Sequence, residues 1–157
     1  MNIQIEMENG GIIKAELYPE VAPITVENFV KLINENFFDG LVFHRVIEGF
    51  MIQGGGFDAT GNHKDAQSIK GEFDANGVKN DLKHSRGVLS MARTMFPNSA
   101  SSQFFIMHQD APHLDGQYAA FGKVTEGMDV VDEIATCQTA MDDSPIVPQV
   151  IKTIKLI

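Results

Sequence analysis

Residues 43–57 read FHRVIEGFMIQGGGF, two apolar runs that meet at Glu48 and Gly49 and end in three consecutive glycines. Phe, Val and Ile favour strands, so the stretch predicts one strand at 42–47 and another at 50–53. Arg45 and Gln53 place a charge and an amide within these runs. A strand that serves only the core needs neither side chain, which makes both residues candidates for a functional site.

The N-terminal residues predict a β-hairpin. NIQIEME at 2–8 and IIKAELY at 12–18 each alternate apolar and polar residues, the period of a half-buried strand. Asn9-Gly10 lies between them and is a strong signal for a tight hairpin turn. We therefore expect the first two strands to pair antiparallel and to bury one face.

Two helices are predicted. One apolar stripe at helical spacing consists of Val26, Phe29, Val30, Ile33 and Phe37. Thr25 is the predicted N-cap of this helix, and Glu27 suits the positive end of its dipole. A second helix is expected near 127–136, where Met128, Val131 and Ala135 share one side.

The remaining chain supplies strands around one long loop. Residues 54–87 are rich in Gly, Asn and Asp and show little periodicity, and a long ordered loop in a small domain usually lies at or next to a site. The further strand-like runs are 88–92, 103–107, 119–124 and 149–157. Many strands and two helices predict a mainly β fold, a closed antiparallel barrel whose open ends the helices cover, as a single domain over 1–157.

Composition limits the classes of function. The chain has 157 residues, 43% hydrophobic and 21% charged, which is typical of a globular domain. Its net charge of −9 argues against nucleic-acid or anionic-membrane partners, which need a basic face. The single Cys137 fits a reducing compartment. We expect a cytoplasmic protein, because the first residues lack the pattern of a signal peptide.

Several common site motifs fit poorly. GGGFDA at 54–59 matches G-x-G-x-x-A formally, but no helical pattern follows, so we interpret the glycines as a tight turn. No two of the five histidines have zinc-helix spacing, and DANG at 74–77 is too short for a calcium loop, so no metal is expected. SASS at 99–102 lacks a nucleophile elbow and predicts a polar turn. Arg45 taken alone fits a surface ion pair better than a site.

Longer motifs, read together, favour a site over a surface ion pair. FHRVIEGFMIQGGGF, LKHSRGVLSMAR and SSQFFIMHQDAPHLDGQYAAFGKVTEGMDVVDEI, with the opening hairpin, resemble the cyclophilin family of peptidyl-prolyl cis-trans isomerases, in the family's order and over residues 1–157. The intervening segments resemble its compact bacterial members. The resemblance implies an eight-stranded antiparallel barrel capped by two helices, and catalysis of rotation about Xaa-Pro bonds in folding proteins.

The resemblance also assigns residues. Arg45 matches the family's catalytic arginine. The implied substrate-binding residues are Phe50, Met51, Gln53, Ala92, Arg93, Gln103, Phe105, His113, Leu114 and Tyr118. His113 replaces a tryptophan of the best-studied eukaryotic members, and Tyr118 replaces a histidine. Cyclosporin binding relies on that tryptophan in the family and is therefore expected to be weak.

The chemistry explains why a charge and an amide are needed. Rotation about an Xaa-Pro bond makes the prolyl nitrogen pyramidal, and a guanidinium donor stabilises that twisted state more than the planar one. No cofactor is required, and we expect a monomer whose partners are proline-containing peptides and unfolded or folding proteins. The alternative is a non-catalytic module or scaffold that only binds proline peptides. A barrel carrying an apolar ligand is a third hypothesis.

Overall fold

The computed structural model describes residues 1–157 as eight strands and two helices. Two short 3₁₀ turns lie at Asp74–Asn76 and Pro112–Leu114. Neither helix has the length and hydrophobicity needed to cross a bilayer. The elements in chain order are β1 (Asn2–Met7), β2 (Ile12–Leu17), α1 (Pro23–Asn34), β3 (Leu41–Ile47), β4 (Met51–Asp58), β5 (Val88–Met91), β6 (Phe104–Met107), β7 (Ala120–Glu126), α2 (Met128–Ala135) and β8 (Ile151–Leu156).

The strands form one antiparallel sheet that curls into a nearly closed barrel. Their order is β3-β4-β6-β5-β7-β2-β1-β8. The two edge strands of the sheet, β3 and β8, approach each other. The Phe43 N–H on β3 donates to the Gln149 carbonyl just before β8 at 3.0 Å, and Val42 bridges Val150. The prediction of an eight-stranded antiparallel barrel with two helices is confirmed.

The N-terminal hairpin and the core follow the predicted alternation. Ile3 and Ile5 on β1 are fully buried, as is Ile13 on β2. The main core joins these strands to both helices through Phe29 of α1 and Val131 of α2. Phenylalanine rings with centroids 5.0–5.7 Å apart fill the space between α1 and the strands: Phe29, Phe38, Phe104 and Phe121. An interior packed in this way argues against an apolar ligand inside the barrel.

Helix α1 begins earlier than predicted. Pro23 occupies its first turn, Ala22 is the N-cap, and Thr25 lies inside the helix, so the predicted N-cap is wrong. The backbone N–H and the hydroxyl of Thr25 both donate to the Glu72 carboxylate, at 2.7 and 2.8 Å. This carboxylate from the long loop therefore does what the predicted cap was expected to do. The helix also ends at Asn34, so Phe37 is buried without being helical.

Strand β4 continues through the three glycines, so the predicted tight turn is wrong. Of these three glycines, only Gly55 has a positive φ, +92°. A Cβ on Gly54 would lie 2.7 Å from the Val42 carbonyl oxygen, and one on Gly55 would lie 2.9 Å from that of Ser102. Gly54 and Gly55 are thus needed because neighbouring backbone comes too close for a side chain.

Candidate active site

An open cavity of about 150 Å³ lies on the outer face of the barrel. Every residue that lines it was assigned to the site from the sequence. The lining consists of Arg45, Phe50, Met51, Gln53, Ala92, Arg93, Phe105, Leu114 and Tyr118. The two predicted site residues outside this lining are Gln103 and His113.

Strand register brings the polar and aromatic residues together. Arg45 on β3 lies directly opposite Gln53 on β4, and Gln53 lies opposite Phe105 on β6. Because side chains alternate along a strand, exposed Arg45 is followed by buried Val46. Three neighbouring strands therefore present a guanidinium, an amide and a ring side by side.

The polar groups form a short relay of hydrogen bonds. Arg45 Nη1 donates to Gln53 Oε1 at 3.3 Å, and Gln53 Nε2 donates to Gln103 Oε1 at 3.0 Å. Gln103 thus supports the cavity without lining it. Arg45 has no carboxylate within ion-pair distance, so the alternative interpretation as a surface ion pair is wrong. The rest of its guanidinium makes no hydrogen bond to the protein.

The floor of the cavity is apolar and well packed. Met51, Phe105 and Leu114 are 2%, 5% and 8% exposed. They belong to a second, smaller core whose other buried members are Val88, Met107, Ala111 and Ala120. Tyr118 packs edge-on against Phe105 with ring centroids 5.8 Å apart. The floor thus has the predominantly apolar lining that is typical of small-ligand sites.

The rim differs from the floor in its exposed charges and rings. The Arg93 guanidinium lies 4.7 Å from the ring centroids of both Phe73 and Tyr118. It also donates to the Gln117 carbonyl at 2.6 Å, which holds the side chain in place. His113 is exposed and stacks against Phe50 at 5.8 Å, beside the cavity. The structure therefore places His113 next to the cavity lining and not within it.

A second cavity of about 280 Å³ continues from the first. The two share Gln53, Ala92 and Arg93. The remaining walls of the second cavity are polar: His63, Thr94, Ser99, Ser101 and Gln103. A peptide lying across Ala92 and Arg93 would reach both cavities.

A buried histidine behind Phe105 was not predicted from the sequence. The His84 ring stacks against Phe105 at 6.0 Å, and its side chain is 0% exposed. Its Nε2 lies 2.8 Å from Ser90 Oγ and its Nδ1 lies 3.1 Å from Asp115 Oδ1. Burial lowers the pKa of His84, against the opposing effect of Asp115. Ser90 is fully buried, so this Ser-His-Asp arrangement supports the cavity wall and has no access to substrate.

A second histidine anchors the turn that carries Phe50. The Gly49 N–H donates to His108 Nδ1 at 2.8 Å, and His108 Nε2 lies 3.2 Å from the Asp132 carboxylate on α2. Arg86 binds that carboxylate with two hydrogen bonds of 2.7 Å. The contacts join residues far apart in sequence, and no local pattern indicates them.

Comparison with known proteins identifies the family. Residues 2–156 match the family model described as cyclophilin type peptidyl-prolyl cis-trans isomerase/CLD. A peptidyl-prolyl cis-trans isomerase of Acinetobacter baylyi is 48% identical over 146 residues, 88% of this chain and 75% of the relative. Peptidyl-prolyl cis-trans isomerase B of Bacillus subtilis is 49% identical over 123 residues, 78% of this chain and 82% of the relative.

A solved structure shows the same architecture. The cyclophilin type peptidyl-prolyl cis-trans isomerase of Cryptosporidium parvum, crystallised in the presence of the dipeptide Ala-Pro, superposes with a TM-score of 0.83. The two sequences are 30% identical, and the match covers 98% of this chain and 97% of the other. With the family model and these relatives, the barrel shows that this chain belongs to the cyclophilin-type peptidyl-prolyl cis-trans isomerases and is an enzyme of that class.

Proposed function

We propose that the cavity binds the proline of an Xaa-Pro segment and that Arg45 stabilises the twisted amide by donating to the prolyl nitrogen. The observation that carries this proposal is a guanidinium without an ion pair at the mouth of an apolar cavity. An Xaa-Pro bond isomerises over roughly tens to hundreds of seconds because the amide is conjugated. Rotation forms and breaks no bond, so a catalyst needs only to bind the twisted state more tightly.

Arg45 supplies only part of the acceleration. A turnover of about 10³ per second requires about five powers of ten, or roughly 7 kcal/mol. One charge-assisted hydrogen bond contributes about 1.5–3 kcal/mol. The remainder comes from holding the two sides of the bond in a fixed orientation while it rotates.

The apolar floor holds the proline ring. Phe50, Met51, Phe105 and Leu114 lie around the cavity, and three of them are almost completely buried before any ligand binds. Since the floor is already packed, it does not have to rearrange to accept the ring. His113 beside Phe50 and Tyr118 beside Phe105 then form the outer wall, and His113 in place of tryptophan makes cyclosporin a weak ligand.

Polar groups on both sides of the cavity hold the peptide backbone. The hydrogen bond from Gln53 to Gln103 orients the Gln53 amide toward the Xaa-Pro bond. The Ala92 carbonyl and both main-chain groups of Arg93 make no backbone hydrogen bond within the chain, so they are available to pair with an extended substrate.

The second cavity selects the residue ahead of proline. Arg93 and Thr94 line it, so Arg93 favours an acidic side chain over a basic one there. Exchange of Arg93 for Ala should bring the relative rates on peptides with acidic and basic residues at that position closer together. Unchanged relative rates would remove Arg93 from this role.

The central test is the rate of cis-trans exchange of a short Xaa-Pro peptide, measured by exchange NMR. Arg45→Ala should lower the rate at saturating enzyme by about 10- to 150-fold and still bind the peptide. Arg45→Lys should recover little, because an ammonium lacks the planar fork of donors. Lys155→Ala, which removes an exposed cation from β8, is the matched control. Full exchange rates in Arg45→Ala would overturn the proposal.

The substrates follow from this site. They are proline-containing peptides and the unfolded or folding chains that expose them, and the Ala-Pro dipeptide present with the Cryptosporidium parvum relative supports that class. A free Cys137 thiol is compatible with action in the reducing cytoplasm.

A further inference from the structure

The loop at residues 94–99 displays two large apolar side chains to solvent. Met95 is 85% exposed and Phe96 is 67% exposed. A contiguous exposed apolar patch marks an interaction surface more often than single exposed apolar residues do. No helix or strand of the fold covers Met95 and Phe96 at the tip of this loop.

Internal hydrogen bonds hold the tip in one shape. The Thr94 hydroxyl donates to Ser99 Oγ at 2.8 Å, and Ser99 Oγ donates to the Phe96 carbonyl at 2.6 Å. The Phe96 N–H donates back to Thr94 Oγ1 at 3.2 Å. Pro97 fixes its own φ and disfavours helical backbone at Phe96. The display is therefore preorganised, and a ligand does not have to order the loop.

The loop at 94–99 is continuous with the cleft that the two cavities of the site form. Thr94 and Ser99, the two residues that close the loop, line the second cavity. Met95 and Phe96 follow Arg93 by two and three residues, which limits the distance to Arg93 to about 11 Å between Cα atoms. An extended peptide covers that span with about three or four residues.

We propose that Met95 and Phe96 form an exosite for unfolded substrate, binding an apolar side chain about three to five residues ahead of the proline. The inference rests on the proposed function, since it takes the direction of the peptide from the assignment of the second cavity. Met is flexible and Phe is broad, which suits a surface that accepts varied apolar side chains. Two side chains are too small an area for a stable dimer, so a second copy of this chain fits less well.

The test compares two peptides that differ in length. The short peptide has four residues around its Xaa-Pro bond, and the long peptide adds a leucine and a phenylalanine four and five residues ahead of the proline. The double variant Met95→Gln, Phe96→Ser should raise KM for the long peptide by about five- to thirty-fold with kcat unchanged. Both parameters for the short peptide should stay as in the wild type.

A matched control uses apolar residues exposed elsewhere. Met141 is fully exposed and Val147 is 69% exposed, and neither lines the two cavities of the cleft. Met141→Gln, Val147→Ser should leave both peptides unaffected. An equal loss on the short and the long peptide in the Met95, Phe96 variant would assign the loop to the shape of the cleft and overturn the exosite. An unchanged KM for the long peptide would overturn it as well.

Two further measurements distinguish the exosite from the catalytic role of Arg45 and from self-association. Addition of Arg45→Ala tests the proposed function independently, because the exosite predicts that length-dependent binding survives in that background whatever happens to kcat. Sedimentation of the wild type and the double variant tests self-association. A concentration-dependent dimer lost only in the double variant would identify the tip as an interface between copies and overturn the proposal.

Discussion

Exchange of Gly56 for Ala should weaken catalysis through Gln103. A Cβ on Gly56 would lie 2.5 Å from both Cγ and Nε2 of Gln103 and 2.7 Å from its Cδ. Gly56 has an ordinary φ, so alanine introduces no backbone strain there. The three nearest atoms all belong to one flexible, half-buried side chain, so Gln103 is the group that must move.

The magnitude follows from the relay. A displaced Gln103 loses its 3.0 Å hydrogen bond to Gln53 Nε2, and Gln53 is then held only through Arg45. A neutral hydrogen bond contributes about 0.5–1.5 kcal/mol, so kcat/KM should fall about 2- to 12-fold. The free energy of unfolding should change by less than about 1 kcal/mol, since alanine reduces the entropy of the unfolded chain and partly offsets the repacking.

The assay is exchange NMR on a short Xaa-Pro peptide, with urea unfolding for stability. The decisive comparison is a double-mutant cycle with Gln103→Ala, which removes the side chain that clashes with the new Cβ at position 56. Gly56→Ala should have no further effect on kcat/KM in that background. An equal loss with and without the Gln103 side chain, or full activity in Gly56→Ala alone, would refute the reasoning.

Two further predictions concern stability. Glu72→Ala should lower the free energy of unfolding in urea by about 3–5 kcal/mol, because it leaves two buried donors of Thr25 unpaired. Glu72→Gln keeps an acceptor and should cost about 1–2 kcal/mol. Similar losses in the two variants would contradict this account. Burial lowers the pKa of His84 and of His44 below the unfolded value of about 6.5. The unfolded chain therefore takes up protons first as pH falls. The free energy of unfolding should decline from pH 7.5 to 5.5 by at most about 1.4 kcal/mol per pH unit for each histidine. His84→Asn should make that decline shallower, and a stability that rises toward pH 5.5 would contradict the assigned direction.

Local patterns predicted those elements whose cause is local. The alternation of 2–8 and 12–18 depends on one buried face, and the structure buries that face. The N-cap at Thr25 was wrong because the group that caps the helix, Glu72, is 47 residues away. The prediction of a turn at the glycines was wrong because the reason for them is the approach of Val42 and Ser102 from neighbouring segments.

The site shows the same division. Arg45 and Gln53 stand out as polar residues in apolar runs, but their pairing across β3 and β4 emerges only with strand register. The relay to Gln103 spans 50 residues, and His84 lies behind Phe105 through contacts that no motif spacing indicates. Family resemblance supplied the pocket residues that composition and periodicity left open.

Register also makes the fold and the catalytic site depend on each other. Val46 pairs with Ile52, and Ile52 pairs with Ile106, all buried in the main core. The residues next to them in sequence form the Arg45, Gln53 and Phe105 row on the outer face. A slip of one residue between β3 and β4 would exchange the two rows, bury the guanidinium and expose the core. The cost of burying an unpaired charge therefore penalises the registers that turn Arg45 into the core, so the arginine that we propose for catalysis also helps to select the correct barrel.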